Sequence, residues 1–273
     1  MSENLIINNI SPFDLALTLD CGQAFRWMPT NDGAFEGVAM GKYLKIKQDN
    51  ENIIFYNTTE EDYNIIWKKY FDFERDYDAI LKRARKTELL STITKDCGGI
   101  RLLKQDPWEA LCSFIISQNN NIPRIKGIIE RLCENFGEKI DGGYTFPSAK
   151  RLADLTLEDL APLRSGFRAK YILSAAKKCS NEIDLDRLHT LPIDEARNVL
   201  MTITGVGPKV ADCTLLFGLG FHNAFPMDVW MKRAMVILFD NKLPDGLEDC
   251  AGVIQQYIFH YARTEKITFD DNK

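Results

Sequence analysis

The texture of this chain changes once, at Asp106-Pro107-Trp108-Glu109, and that change limits the folds open to it. Upstream, from Gln23 to about Thr58, short aromatic and β-branched runs (QAFRWMP, AFEGVAM, YLKIKQD, IIFYNT) alternate with Thr-Asn-Asp-Gly, Gly-Lys and Asn-Glu-Asn turns. Hairpin spacing of this kind predicts a small antiparallel sheet. Two charged helical segments follow, TEEDYNIIWKKYFD and ERDYDAILKRARK, whose charges read as solvated faces. At residue 106 an N-cap aspartate, a proline at the first helical position and an acid at the third announce a helix. Beyond that point the periodicity is helical throughout. EALCSFIIS is apolar, and IPRIKGIIERLCENF sets Ile122, Ile125, Ile129 and Leu132 on one face before Gly137. FRAKYILSAAKKC and GLEDCAGVIQQYIFHYAR continue the series, with short helices around LADLT and LEDLAPL. The expected fold class is α+β: a small antiparallel sheet unit with flanking helices over residues 1–100, packed on a mainly helical unit over 101–273, with a cleft between. The last ten residues read as a frayed tail.

Composition narrows the function. A chain of 273 residues, 45% hydrophobic and 27% charged, is ordinary globular material. It contains no apolar run near ~18 residues, and MSENLIINNISPF lacks a basic-then-apolar leader. A cytoplasmic protein away from membranes is expected, nucleoid-associated in a bacterium and nuclear in a eukaryote. The seven cysteines, at 21, 97, 112, 133, 179, 213 and 250, are scattered without a C-x-x-C pair, which argues against disulfides and zinc. The net charge of −5 lowers the odds of a nucleic-acid partner when taken alone. Residues 1–100 carry 16 Asp and Glu against 12 Lys and Arg, whereas residues 101–230 balance at 16 each. A locally basic groove on a mildly acidic protein is therefore expected, with few phosphate contacts and a shallow salt slope.

The densest chemical signal lies between residues 193 and 239. An amphipathic helix with Ala196, Val199, Leu200 and Ile203 inward runs into Gly205-Val206-Gly207-Pro208, and an apolar helix begins at once with Lys209, Val210, Ala211 and Cys213. This is a helix-hairpin-helix. Without Cβ atoms at the glycines, another chain can approach the backbone, and N–H groups at the second helix's start can point at a phosphate. A lone GxG between helices would be no more than a turn. Lys209 stands in the first turn, where the helix's positive end disfavours a cation and favours a free, nucleophilic amine. On spacing alone it is equally a phosphate-binding lysine. Asp228, nineteen residues on, reads as an N-cap.

The turn L/I-x-G-V-G-x-K-x-A followed by Pro226-Met227-Asp228-Val229 resembles the DNA glycosylase superfamily named for a helix-hairpin-helix, a Gly/Pro-rich loop and an aspartate. Over roughly residues 10 to 263 the chain is most similar to its 8-oxoguanine branch. That resemblance implies a Schiff-base nucleophile at Lys209, with Asp228 stabilising an oxocarbenium-like sugar and assisting proton transfer. It implies a nucleotide flipped out of the duplex. In ISQNNNIPRIKGIIERLCENFG, otherwise a polar helix-helix loop, Asn119 matches the gap-filling residue and Arg124 a residue that contacts the estranged cytosine. Arg168 matches a second cytosine-reading arginine. Phe167 departs from the branch's tyrosine wedge while remaining aromatic, which loosens the expected preference for cytosine.

Cys21-Gly22-Gln23-Ala24-Phe25-Arg26-Trp27 resembles the branch's GQ-x-FRW signature, in which the Gly22 carbonyl would accept the N7–H of oxidised guanine. Gln255 and Phe259 lie four apart on one helical face, able to bond a base edge and to stack on its ring. Cys213 aligns with the cysteine on the other side of the base; in isolation it is a small buried hydrophobe. Gly205, Val206 and Gly207 would grip the backbone. The resemblance thus implies a bifunctional 8-oxoguanine DNA glycosylase and abasic-site lyase, acting as a monomer on double-stranded DNA with the lesion opposite cytosine. No chemical cofactor and no iron–sulfur cluster are expected, with room for a structural cation at the hairpin carbonyls. Two rivals stay open: a glycosylase for another damaged base, and a non-catalytic DNA-binding module.

Overall fold

The computed structural model describes residues 4–264; residues 265 to 273, most of the segment expected to fray, lie outside the described residues. The sheet forms as its texture predicts, with one strand more. Strands β1 (Leu5–Ile7), β2 (Trp27–Pro29), β3 (Phe35–Ala39), β4 (Lys42–Asp49) and β5 (Asn52–Tyr56) are antiparallel in the order β1-β5-β4-β3-β2. Helix α1 (Leu15–Asp20) lies between β1 and β2 in the chain, capped by Asp14, whose side chain accepts from Leu17 N. Alternation along β4 sends Leu44 and Ile46 inward, where Ile46 pairs with Phe55 of β5. These residues meet an aromatic cluster of Phe13, Trp27, Trp67, Tyr70 and Phe71. Trp67 and Tyr63 enter it from a π-helical turn, Tyr63–Trp67, between the short helices α2 (Glu60–Asp62) and α3 (Lys68–Tyr70).

Helices α4 (Tyr77–Ala84) and α5 (Glu88–Cys97) precede the expected boundary at residue 100, yet Tyr77, Ile80, Leu90 and Ile93 are buried in the helical core rather than under the sheet. By packing, the first hundred residues therefore divide between the two cores. The helical core is built around α6 (Pro107–Ser117), every residue of which from Glu109 to Ile116 is buried. Asp106 caps it by accepting from Glu109 N at 2.9 Å. Around it lie α7 (Ile122–Phe136), capped by Asn121, a small β6–β7 ribbon (Lys139–Ile140, Gly143–Tyr144), α8 (Ala149–Ala153), α9 (Arg168–Asn181), α10 (Ile193–Met201), α11 (Pro208–Phe217), α12 (Val229–Phe239) and α13 (Ala251–Thr264).

Gln23 stitches the two cores together. Its fully buried amide donates to Thr18 O at 2.9 Å and Arg101 O at 2.8 Å and accepts from Leu103 N at 2.9 Å. The Gln105 side chain returns a bond to Gln23 O at 2.7 Å. Replacing Gln23 by Leu leaves the Leu103 N–H and the Arg101 carbonyl buried without these partners and Thr18 O with only the Cys21 thiol, at about 1–3 kcal/mol for each unmade bond. A fall of roughly 3 kcal/mol or more in unfolding free energy is expected from denaturant titration.

Candidate active site and nucleic-acid interface

The hairpin is made by α10 and α11, held face to face by Arg197, whose Nε donates to Asp212 Oδ1 at 2.7 Å. The two glycines of its turn differ in what they do. Gly205 has φ +86°, and a Cβ there would lie 2.3 Å from Cγ of the Tyr171 ring. Gly207 has ordinary extended backbone, and a Cβ on it would meet nothing within 4 Å. Gly205 therefore serves the fold, while Gly207 leaves a bare backbone facing open space. No side chain caps α11, so the N–H groups of its first turn are left to an external acceptor.

Lys209, half-buried in that first turn, points across to the C-terminal end of α6. Its Nζ lies 3.2 Å from Ser117 Oγ and 5.1 Å from the centre of the Phe114 ring. One turn further, Cys213 is buried, and burial pushes its thiol up to about 11 against the opposing pull of Lys209, so a neutral thiol lines this wall. The Asp228 and Asp212 charges oppose Lys209 in their effect on that thiol. Asp228 caps α12, its Oδ1 accepting from Met231 N at 2.7 Å. Among the described residues, no group of three His, Cys, Asp or Glu side chains converges as a metal site.

A second group of candidate residues lies on and beside α13. Gln255 is buried, its Nε2 donating to Pro226 O at 3.2 Å, and its Oε1 has no partner. A buried acceptor left unmade is a site for a ligand's donor. Phe259 follows on the same face, and a Cβ on Gly22 would lie 3.8 Å from its ring, 3.6 Å from Ile122 and 3.3 Å from Arg263 Nη1. Gly22 has φ +91°, a conformation that glycine tolerates. Arg263, unforeseen from the sequence, sits 5.4 Å from the Phe259 ring and donates to Cys21 O at 3.3 Å. Its signal was present: Gln255, Phe259 and Arg263 are spaced by four residues along one helix.

The rest of the GQAFRW stretch secures Gly22. Phe25 packs edge-on to Phe114 at 5.9 Å, Arg26 pairs with Glu109 of α6 at 3.4 Å, and Trp27 donates to Tyr70 Oη at 2.8 Å. The same α6 that carries Ser117 thus anchors the strand entry that carries Gly22.

Beside the hairpin, Asn119 is exposed with φ +46°, and Arg124 and Phe167 are exposed near it. Phe167, 47% exposed, stands edge-on to Tyr171, the ring that packs on Gly205. Arg168 is placed differently from a residue that displays its guanidinium to a base. It is 2% exposed, and donates to the carbonyls of Gln118, Asn119 (2.8 Å) and Ser165 (3.2 Å). The carbonyls beyond the end of α6 need donors, and this arginine supplies them. Residues 160–181 carry Arg164, Arg168, Lys170, Lys177 and Lys178 with no Asp or Glu, a basic stretch within the acidic chain. Val229 and Trp230 are exposed directly after Asp228.

Comparison with known proteins adds to this geometry. Residues 5–111 match the family model described as the N-terminal domain of 8-oxoguanine DNA glycosylase. Residues 112–245 match that of the HhH-GPD superfamily base excision DNA repair protein. The N-glycosylase/DNA lyase of Saccharomyces cerevisiae is 33% identical over 267 residues, covering 82% of this chain and 68% of its own. The structure of MBOgg1 in complex with a low-affinity DNA ligand superimposes with TM-score 0.91 at 42% identity, covering 96% of each chain. The Clostridium acetobutylicum 8-oxoguanine glycosylase/lyase, in complex with double-stranded DNA containing cytosine opposite 8-oxoguanine, superimposes with TM-score 0.92 at 37% identity, covering 98% and 97%.

Proposed function

This chain belongs to the 8-oxoguanine N-glycosylase/DNA lyase family of the HhH-GPD superfamily, and on that premise we propose that it excises 8-oxoguanine opposite cytosine through Lys209. The observation that carries the assignment of Lys209 is its half-buried amine in the uncapped first turn of α11, 3.2 Å from Ser117 Oγ and 5.1 Å from the Phe114 ring. The bare Gly207 backbone and uncapped start of α11 hold a phosphate beside it. The Lys209 amine attacks the sugar's anomeric carbon; the bond to the base breaks, its electrons leave with the base, and a proton reaches that base. Asp228 stabilises the positive charge that develops on the sugar. The sugar ring then opens, the C1′–O4′ bond breaking as a proton passes from nitrogen to O4′ and leaves an imine; loss of a C2′ proton expels the 3′-phosphate by β-elimination and cuts the strand, and water hydrolyses the imine to return the lysine. Atoms balance without a cofactor.

The extruded base lies between Cys213 and Phe259, with the unpartnered Gln255 Oε1 accepting from its edge and the Gly22 carbonyl accepting the N7–H that guanine lacks. Asn119, Arg124 and Phe167 occupy the space left behind and face the opposite base. For Arg168 to reach that base, it must release the Gln118 and Asn119 carbonyls, so opposite-base reading falls mainly to Arg124.

Excision from a panel of duplexes bearing 8-oxoguanine, guanine or an alkylated purine opposite cytosine tests the substrate class. The reading requires the first to be cut and the others spared; preferential cutting of the alkylated base would overturn it. Gly22→Ala adds a methyl to the pocket wall where φ is +91° and Arg263 and Phe259 stand close. Its 8-oxoguanine over guanine preference should fall by about tenfold, the worth of one hydrogen bond to a displaced acceptor. Unchanged discrimination would remove Gly22 from the pocket.

A further inference from the structure

We propose that Ser117 is a positioning residue for the Lys209 amine, fixing the direction in which its lone pair faces. The inference rests on Lys209 being the nucleophile. Helix α6 ends at Ser117, whose hydroxyl donates its one hydrogen to Phe114 O at 2.8 Å. With that hydrogen spent, Oγ meets Lys209 Nζ, 3.2 Å away, as an acceptor. A free amine held this way gives an N–H to Ser117 and keeps its lone pair for the electrophile. A group donating from the same place would occupy that lone pair and silence the nucleophile.

Among the described residues, the amine's contacts with Phe114 and Cys213 are less directional. The Phe114 ring, 5.1 Å from Nζ, attracts a cation through a broad face, and Cys213 offers only a weakly bonding sulfur. Ser117 also brings the negative end of α6 to a lysine standing at the positive end of α11. The contact thereby offsets the repulsion that the lysine meets from its own helix. Ser117 is half-buried, and the chain from it leads through Gln118 to Asn119, whose carbonyls Arg168 grips. The seat of the nucleophile is thus braced from the side that faces the opposite base.

The test uses the full chain and a duplex with a preformed abasic site opposite cytosine, so that imine formation is read apart from lesion choice. Borohydride trapping is followed under single-turnover conditions, with the dissociation constant measured on the same duplex. Ser117→Ala should trap about tenfold more slowly, the effect of one misdirected hydrogen bond, with an unchanged dissociation constant. Ser117→Thr, which keeps a hydroxyl able to make both bonds, should restore the rate. Trapping of Ser117→Ala at the wild-type rate, a binding loss that matches the rate loss, or a threonine variant as slow as alanine would each overturn the role. Lys209→Gln alongside separates the two failures. A band that survives in it overturns the nucleophile assignment itself, whereas its loss with an unaffected Ser117→Ala overturns only the part given to Ser117.

Discussion

Lys209→Gln is expected to bind lesion duplex as the wild type does and to excise nothing measurable, a loss of at least about three orders of magnitude in the single-turnover rate. Glutamine keeps a polar side chain, one atom shorter than lysine. It has no lone pair basic enough to attack a sugar carbon. In the proposed mechanism the phosphate grip comes instead from the bare turn at Gly207 and the uncapped first turn of α11, neither of which the substitution touches. Gel-shift titration and single-turnover excision on one duplex give the two numbers. If the protein were a binding module with Lys209 as one more phosphate contact, affinity would fall and no chemical defect would appear.

The two hairpin glycines should respond in opposite ways to the same added methyl. Gly205→Ala places a Cβ 2.3 Å from the Tyr171 ring at φ +86°, and both backbone strain and overpacking destabilise. A loss on the order of 2–4 kcal/mol in unfolding free energy follows from these costs together. Gly207→Ala meets open space at an ordinary backbone angle, so stability should change by less than about 0.5 kcal/mol. Its methyl stands where a phosphate must approach, and duplex affinity should drop by about tenfold. Thermal unfolding and duplex binding, measured on both variants, read the contrast. Equal stability losses, or full affinity in Gly207→Ala, would contradict the division of labour between them.

Local grammar explains what was legible before the structure. The Asp106-Pro107 start of α6 and the Gly-Val-Gly-Pro turn are short-range signals, and each reappears where the sequence places it. The sheet followed from alternation, although β1 was missed because three residues carry too little pattern. The contacts that escaped notice act across long separations. Ser117 meets Lys209 across 92 residues, and no local pattern in either helix points to the other. Arg168 turned inward for a reason that appears only once α6 ends beside it, leaving carbonyls to be satisfied. Gln23 lies inside a stretch that reads as pocket, yet its amide ties the linker at Arg101 and Leu103 to the sheet unit. Motif recognition located that stretch; hydrogen-bond accounting shows that Gln23 secures it, while Gly22 beside it makes no such tie.

The central claim is that a Lys209 imine forms on the sugar of an excised 8-oxoguanine. Its most direct measurement is borohydride trapping on a duplex with one 8-oxoguanine opposite cytosine, beside the same duplex with guanine. The account predicts a covalent protein–DNA band with the lesion, none with guanine, and none from Lys209→Gln on either duplex. Absence of the band while the lesion duplex is bound, or its persistence in Lys209→Gln, would contradict it.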